Sequence, residues 1–177
     1  MTAAPIAVGT LAPERPAAVT DRPVDASGSG RDELVRQLAT AGEVRAASAF
    51  YRSPMLLTGD AASRVALLRE IGRHDMMHFA GHARVLADNP AASHLVLARD
   101  TAGFSGNVLY ASEIGALDLR RLRLVVLSAC GETRSPFMRQ QGNGLVRAFL
   151  DAGTQAVVAS SWEADDEATA TLTRRFH

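Results

Sequence analysis

Leu124–Thr133 reads LVVLSACGET. Over Leu122–Ser128 a nearly continuous run of Leu and Val, too short for an ordinary helix, reads as a strand buried on both faces. Cys130 stands just past its end, followed by Gly131 and the polar residues Glu132 and Thr133. His78–Ala83, HFAGHA, follows the same plan. Met76–Ala80 (MMHFA) is a short apolar run with polar neighbours, hence a second buried strand. Gly81 then allows a tight turn that presents His82. Doubly buried strands imply a mostly parallel sheet covered by helices.

The rest of the chain supplies the remaining strands and helices. Pro5–Gly9 (PIAVG) reads as an opening strand and Pro54–Thr58 (PMLLT) as another. Thr10–Gly30, rich in Pro, Ala, Gly and Ser and without periodicity, reads as a flexible loop or linker. From Arg31 to Tyr51 the apolar residues Leu34, Val35, Leu38, Val44 and Phe50 have helical spacing, broken near Gly42. Asp60 is expected to cap a helix over Ala61–Ile71 that Gly72 closes. Leu95–Ala98 and Val108–Tyr110, separated by a turn in Thr101–Asn107, read as a hairpin at the sheet edge. Ser112 is expected to cap a short helix, with Glu113 in its first turn. Gly144–Ala152 reads as a helix stopped by Gly153. Gln155–Trp162 reads as a further buried strand, and the chain from Asp165 onward as a helix. That pattern ends at Phe176–His177 without a cap, which points to a C-terminal end cut short. Alternating strands and helices predict one α/β domain over residues 1–177, with a mostly parallel central sheet and an edge hairpin.

Composition narrows the functional classes. The chain has 177 residues, 47% of them hydrophobic and 21% charged, enough to bury a core as one domain. Lys+Arg and Asp+Glu each number 19, so the formal net charge is zero. That balance leaves no electrostatic footprint for nucleic acid or an anionic membrane. No apolar run is long enough to span a bilayer, and the N-terminus lacks the pattern of a signal peptide. A single cysteine cannot form an internal disulfide, so the expected location is the cytoplasm.

In open α/β sheets ligands bind beyond the carboxyl ends of the strands. If the strands before His82 and Cys130 are neighbours, imidazole and sulfur face one another there. Such a pair suits a thiol hydrolase, because a histidine raises the thiolate fraction and later protonates the leaving amine. Backbone amides at Ala83 and Cys130, leaving the strand ends, suit an oxyanion hole. His78, on the same face as Met76, reads as a satisfied core histidine, and His74 and His94 as surface or loop residues. The spacing of His78 and His82 is that of helix-borne zinc ligands. The segment reads as strand and the glutamate of HExxH is missing, so no metal site is expected. Ser128 is expected to point away from the groove. Trp162 reads as core, and Glu132 and Thr133 as groove-flanking or simply surface residues.

HFAGHA, the SEI segment at Ser112–Ile114, LVVLSAC, the GLVRAFLDAG helix and AVVASSWEADD together resemble a CHAT domain, of the caspase and separase group of cysteine peptidases. The resemblance runs from about Met55 to the C-terminus, and more loosely back to PIAVG. It implies a caspase-like three-layer α/β/α sandwich, with His82 as general base and acid, Cys130 as nucleophile, and no metal or organic cofactor. The family block often reads GHG, and here Ala83 replaces the last glycine. Separase carries a similar tryptophan-plus-acid block. By that likeness Asp166, or else Asp165 or Glu163, lines a pocket for a basic residue before the scissile bond; capping of the last helix explains Asp165 equally well. The expected partners are a protein or peptide substrate and a regulatory protein or upstream sensor. The alternatives are a catalytically silent signalling or scaffolding module, and an amidase or esterase acting on small molecules.

Overall fold

The structure, a computed structural model, describes residues 6–9, 42–51, 54–99, 106–131, 144–159, 171 and 175. Its strands are β1 (Ile6–Gly9), β2 (Met55–Thr58), β3 (Met76–Arg84), β4 (His94–Val96), β5 (Val108–Tyr110), β6 (Leu124–Gly131) and β7 (Ala156–Ala159). Its helices are α1 (residues 42–48), α2 (Arg64–Ile71), α3 (Ala111–Gly115) and α4 (Gly144–Asp151).

All the strands belong to one mixed sheet. Its parallel part runs β2-β1-β3-β6-β7. β4 pairs antiparallel with the end of β3, and β5 antiparallel with β4, forming the expected hairpin at the edge. The step from β1 to β2 runs one way across the sheet, and every later crossover runs the other way. With right-handed crossovers, the helix after β1 must lie on the opposite face from α2, α3 and α4. The core agrees: Leu67 and Ile71 of α2, Ile114 of α3 and Leu145 and Phe149 of α4 cluster with Met77, Phe79, Val125 and Leu127. Val44 of α1 packs instead with Ala80, on the other face of β3. Strand order reverses between β1 and β3, and such a reversal opens a crevice at the carboxyl ends of the strands.

Helix ends explain several boundaries. Ser63, not Asp60, caps α2: its Oγ accepts the Ala66 amide at 3.3 Å, while Asp60 lies in the short 3-10 turn Gly59–Ala61. The helix therefore begins at Arg64, later than expected. Ser112 lies inside α3 rather than at its cap; Glu113 Oε2 reaches back to accept the Tyr110 amide at 3.0 Å. α4 ends as expected at Gly153, whose φ of +101° suits glycine. Its amide donates to Leu150 O and that of Thr154 to Phe149 O, so two carbonyls left open at the helix end are satisfied.

Several expectations fall wholly or partly outside the described residues: the first residue of the strand at Pro5–Gly9, the loop at Thr10–Gly30, the first part of the helix from Arg31, the turn at Thr101–Asn107, the last part of the strand at Gln155–Trp162 and the C-terminal helix.

Candidate active site

β3 lies between β1 and β6, and its first five residues, Met76–Ala80, are buried without a break. The ladder with β6 runs in continuous register from Met76↔Leu124 to Ala83↔Gly131. Within it His82 and Cys130 are direct partners, so their Cα atoms lie on strands about 4.8 Å apart. Register partners in a parallel pair occupy the same face of the sheet. His82 and Cys130 therefore share that face with His78, Ala80 and Ser128, each two or four residues back along its strand.

This corrects the expected geometry in four respects. Gly81 makes no turn; it pairs with Ala129 inside the ladder, and its φ is not among the positive ones. His82 and Cys130 lie within their strands, which run on to Arg84 and Gly131. Ala83 and Cys130 accordingly lie in paired strand rather than past its end, and Ala83 pairs on both sides, with Leu95 and Gly131. Ser128 shares the face of Cys130 instead of turning away. The physical reason is neighbour pairing: β6 on one edge and β4 on the other carry the backbone of β3 through a Gly-His step that in isolation suits a turn.

One edge of β3 is interrupted at this level. β1 stops at Gly9, opposite Ala80, and β4 takes up the same edge only at Ala83. Among the described strands, Gly81 and His82 face a gap there, at the point where strand order reverses. His82 is half-buried, so the position borders both core and surface.

Below His82 on the same face, His78 is buried at 2% exposure, and its Nε2 lies 3.1 Å from Oε1 of Glu43, itself 8% exposed. The satisfied core histidine is thus observed. Its acidic partner on α1 had only one sequence signal, an acid at the start of a helix whose other residues were read for apolar spacing. Polar groups in so dry a place are kept only when hydrogen-bonded. The pair ties the crossover helix to the central strand.

Beyond His82, Arg84 is exposed and is the register partner of His94, which in turn partners Tyr110. His94 lies on a strand, half-buried, rather than in a loop. Among the described residues no group of three or more His, Cys, Asp or Glu side chains is arranged to hold a metal ion. Nor is any described helix long and apolar enough to cross a membrane. Glu132, Thr133, Trp162, Glu163, Asp165 and Asp166 lie outside the described residues.

The protein-family model of the CHAT domain matches residues 10–177. No curated protein matches the chain.

Proposed function

We propose that this chain, which belongs to the CHAT domain family, a caspase-like family, hydrolyses peptide bonds in protein substrates with His82 and Cys130 as a catalytic dyad. The observation that carries the reading is the direct register of the two residues across the β3–β6 ladder. Neighbouring positions on one face, at the carboxyl end of a parallel sheet, are what a base and a nucleophile require before they can exchange a proton. The parallel order and the helices on both faces support a caspase-like α/β/α sandwich.

In this mechanism His82 removes the proton from Cys130 Sγ, and the thiolate attacks the scissile carbonyl carbon. Of the two expected donors to the oxyanion that forms, the Cys130 amide is the one retained, because Ala83 is paired on both sides. Collapse breaks the C–N bond, and His82 delivers its proton to the departing amine. Water, deprotonated by His82, then attacks the thioester. The carboxylic product leaves, and Cys130 recovers its proton. Asp166, with Asp165 and Glu163 as further candidates, supplies the acidic pocket for a basic residue before the cut. A regulatory partner or upstream sensor orders the active-site loops, so the isolated chain turns over slowly.

The test is labelling by a peptide that carries a thiol-reactive electrophile, read by intact mass, alongside cleavage of a diverse peptide library. Labelling at Cys130 that His82→Ala slows, with cleavage abolished in Cys130→Ala, is the expected result. Labelling no faster than that of a free thiol, together with no cleavage, would overturn the reading in favour of a binding module. Turnover of small esters with no peptide preference would favour an amidase or esterase.

A further inference from the structure

Face alternation along β3 puts Arg84 on the face of His82, roughly 6.6 Å further along the strand. The row continues sideways through the register pairs Arg84↔His94 and His94↔Tyr110. A guanidinium, an imidazole and a phenol thus lie side by side on neighbouring strands, next to the His82–Cys130 position. On the opposite face at the same level, Ala83, Leu95 and Leu109 are buried in the main core, so the row belongs to the outward side of the hairpin.

Two features suit this row to binding rather than packing. Arg84 is exposed and has no ion-pair partner among the described residues. The other two rings are held in place. The Ala92 carbonyl can only accept, so His94 Nδ1, 3.0 Å away, carries a proton and donates it. The fixed imidazole meets the Tyr110 ring edge-to-face, with centroids 5.3 Å apart and planes at 69°. Tyr110 is nevertheless 40% exposed. A surface aromatic held by its neighbour, beside a guanidinium with no ion-pair partner among the described residues, presents two hydrogen-bond donors side by side.

We propose that Arg84 and Tyr110, with His94 as the positioning residue for the Tyr110 ring, form a subsite for a carboxylate side chain, Asp or Glu, close to the scissile bond of a peptide substrate. An extended substrate has the same repeat as the strand. A side chain one or two residues from the cleaved bond therefore reaches the row when the bond lies over His82 and Cys130. The guanidinium fork matches a carboxylate bidentately and a neutral amide poorly. The subsite rests on the peptidase reading and gives it an acidic preference on the β4 side of the dyad, in addition to the basic preference assigned to Asp166.

The experiment uses paired peptide pools, identical except that the residues flanking the cleavable bond are Asp and Glu in one and Asn and Gln in the other. Wild-type chain is expected to cleave the acidic pool about tenfold more efficiently, mostly through KM. Arg84→Ala should bring that ratio to about one, and Arg84→Lys should keep part of it. His94→Ala should lower it while leaving some preference. An acid-to-amide ratio in Arg84→Ala equal to that of wild type overturns the subsite and leaves the peptidase reading standing. If the wild-type chain cleaves neither pool, anisotropy of the labelled pools bound to Cys130→Ala, with and without Arg84→Ala, reads the subsite without turnover. Tighter binding of the acidic pool that needs Arg84 supports it, and equal binding of both pools overturns it. Arg84 is exposed, so the thermal melt of the variant serves to confirm folding.

Discussion

His78 Nε2 and Glu43 Oε1 lie 3.1 Å apart in a part of the core where both side chains are buried. Removing the acid takes a buried hydrogen-bond partner from the imidazole. Glu43→Ala should destabilise the fold by about 1–3 kcal/mol, as the loss of a buried hydrogen-bond partner does. Glu43→Gln, which keeps an acceptor oxygen, should cost less. Urea denaturation of the three proteins checks this, and equal midpoints would mean that the pair contributes nothing.

Gly144 opens α4 against the turn at Pro90–Ala92. A Cβ there would lie 3.0 Å from Pro90 Cα and closer still to its carbonyl oxygen. The obstacle is backbone and cannot rotate away. Gly144→Ala should therefore lower stability by about 1–3 kcal/mol, as overpacking does, despite the better helix propensity of alanine. Gly106→Ala, where nothing among the described residues lies within 4 Å, serves as the control and should stay within about 0.5 kcal/mol of the parent. Thermal melts of both variants decide the matter.

The Arg120 guanidinium, hydrogen-bonded to Asp118 at 2.8 and 2.5 Å, lowers that carboxyl from 3.8 to about 2. A carboxyl whose folded pKa lies below its unfolded value stabilises the fold above the unfolded pKa. That contribution fades as pH falls from 3.8 towards about 2. Asp118→Asn should therefore lose less stability than the parent across this acid window. Both groups are exposed, so the difference should be small and should shrink with added salt. Melting temperatures from pH 5 to pH 2, at two salt concentrations, measure it.

His82→Ala should reduce kcat/KM for peptides by roughly 10²–10⁴-fold, the usual contribution of a general acid–base. Asp166→Ala should instead lower cleavage after Arg or Lys by about tenfold relative to other residues, as loss of a charge-assisted contact does. A library profile of each variant separates the two effects. A basic preference unchanged in Asp166→Ala would remove that residue from the pocket.

The parallel sheet was legible because the runs at Met76–Ala80 and Leu122–Ser128 are apolar at successive positions, as doubly buried strands must be. The stop of α4 at Gly153 was equally plain, since a positive φ is cheap only for glycine. The ends of β3 and β6 were not. Gly81 and His82 have local preferences that suit a turn, and only the pairing of β3 with β6 and β4 overrides them. The same error of phase put Ser128 on the wrong face. Glu43 escaped notice because its partner is 35 residues away, and no local pattern links the two. The row Arg84–His94–Tyr110 depends on two registers that connect three separate strands, so it becomes visible only once those strands are paired.

The β3–β6 ladder has a mechanical consequence. His82 and Cys130 are the seventh of eight consecutive register pairs between two adjacent strands in the middle of the sheet. Drawing the two positions apart would mean unzipping hydrogen bonds and opening the core beneath Phe79 and Leu127. The backbone spacing of these two positions is therefore fixed by the ladder itself. A change that spares the core leaves this pair of strands still, as a fixed anvil in the middle of the sheet.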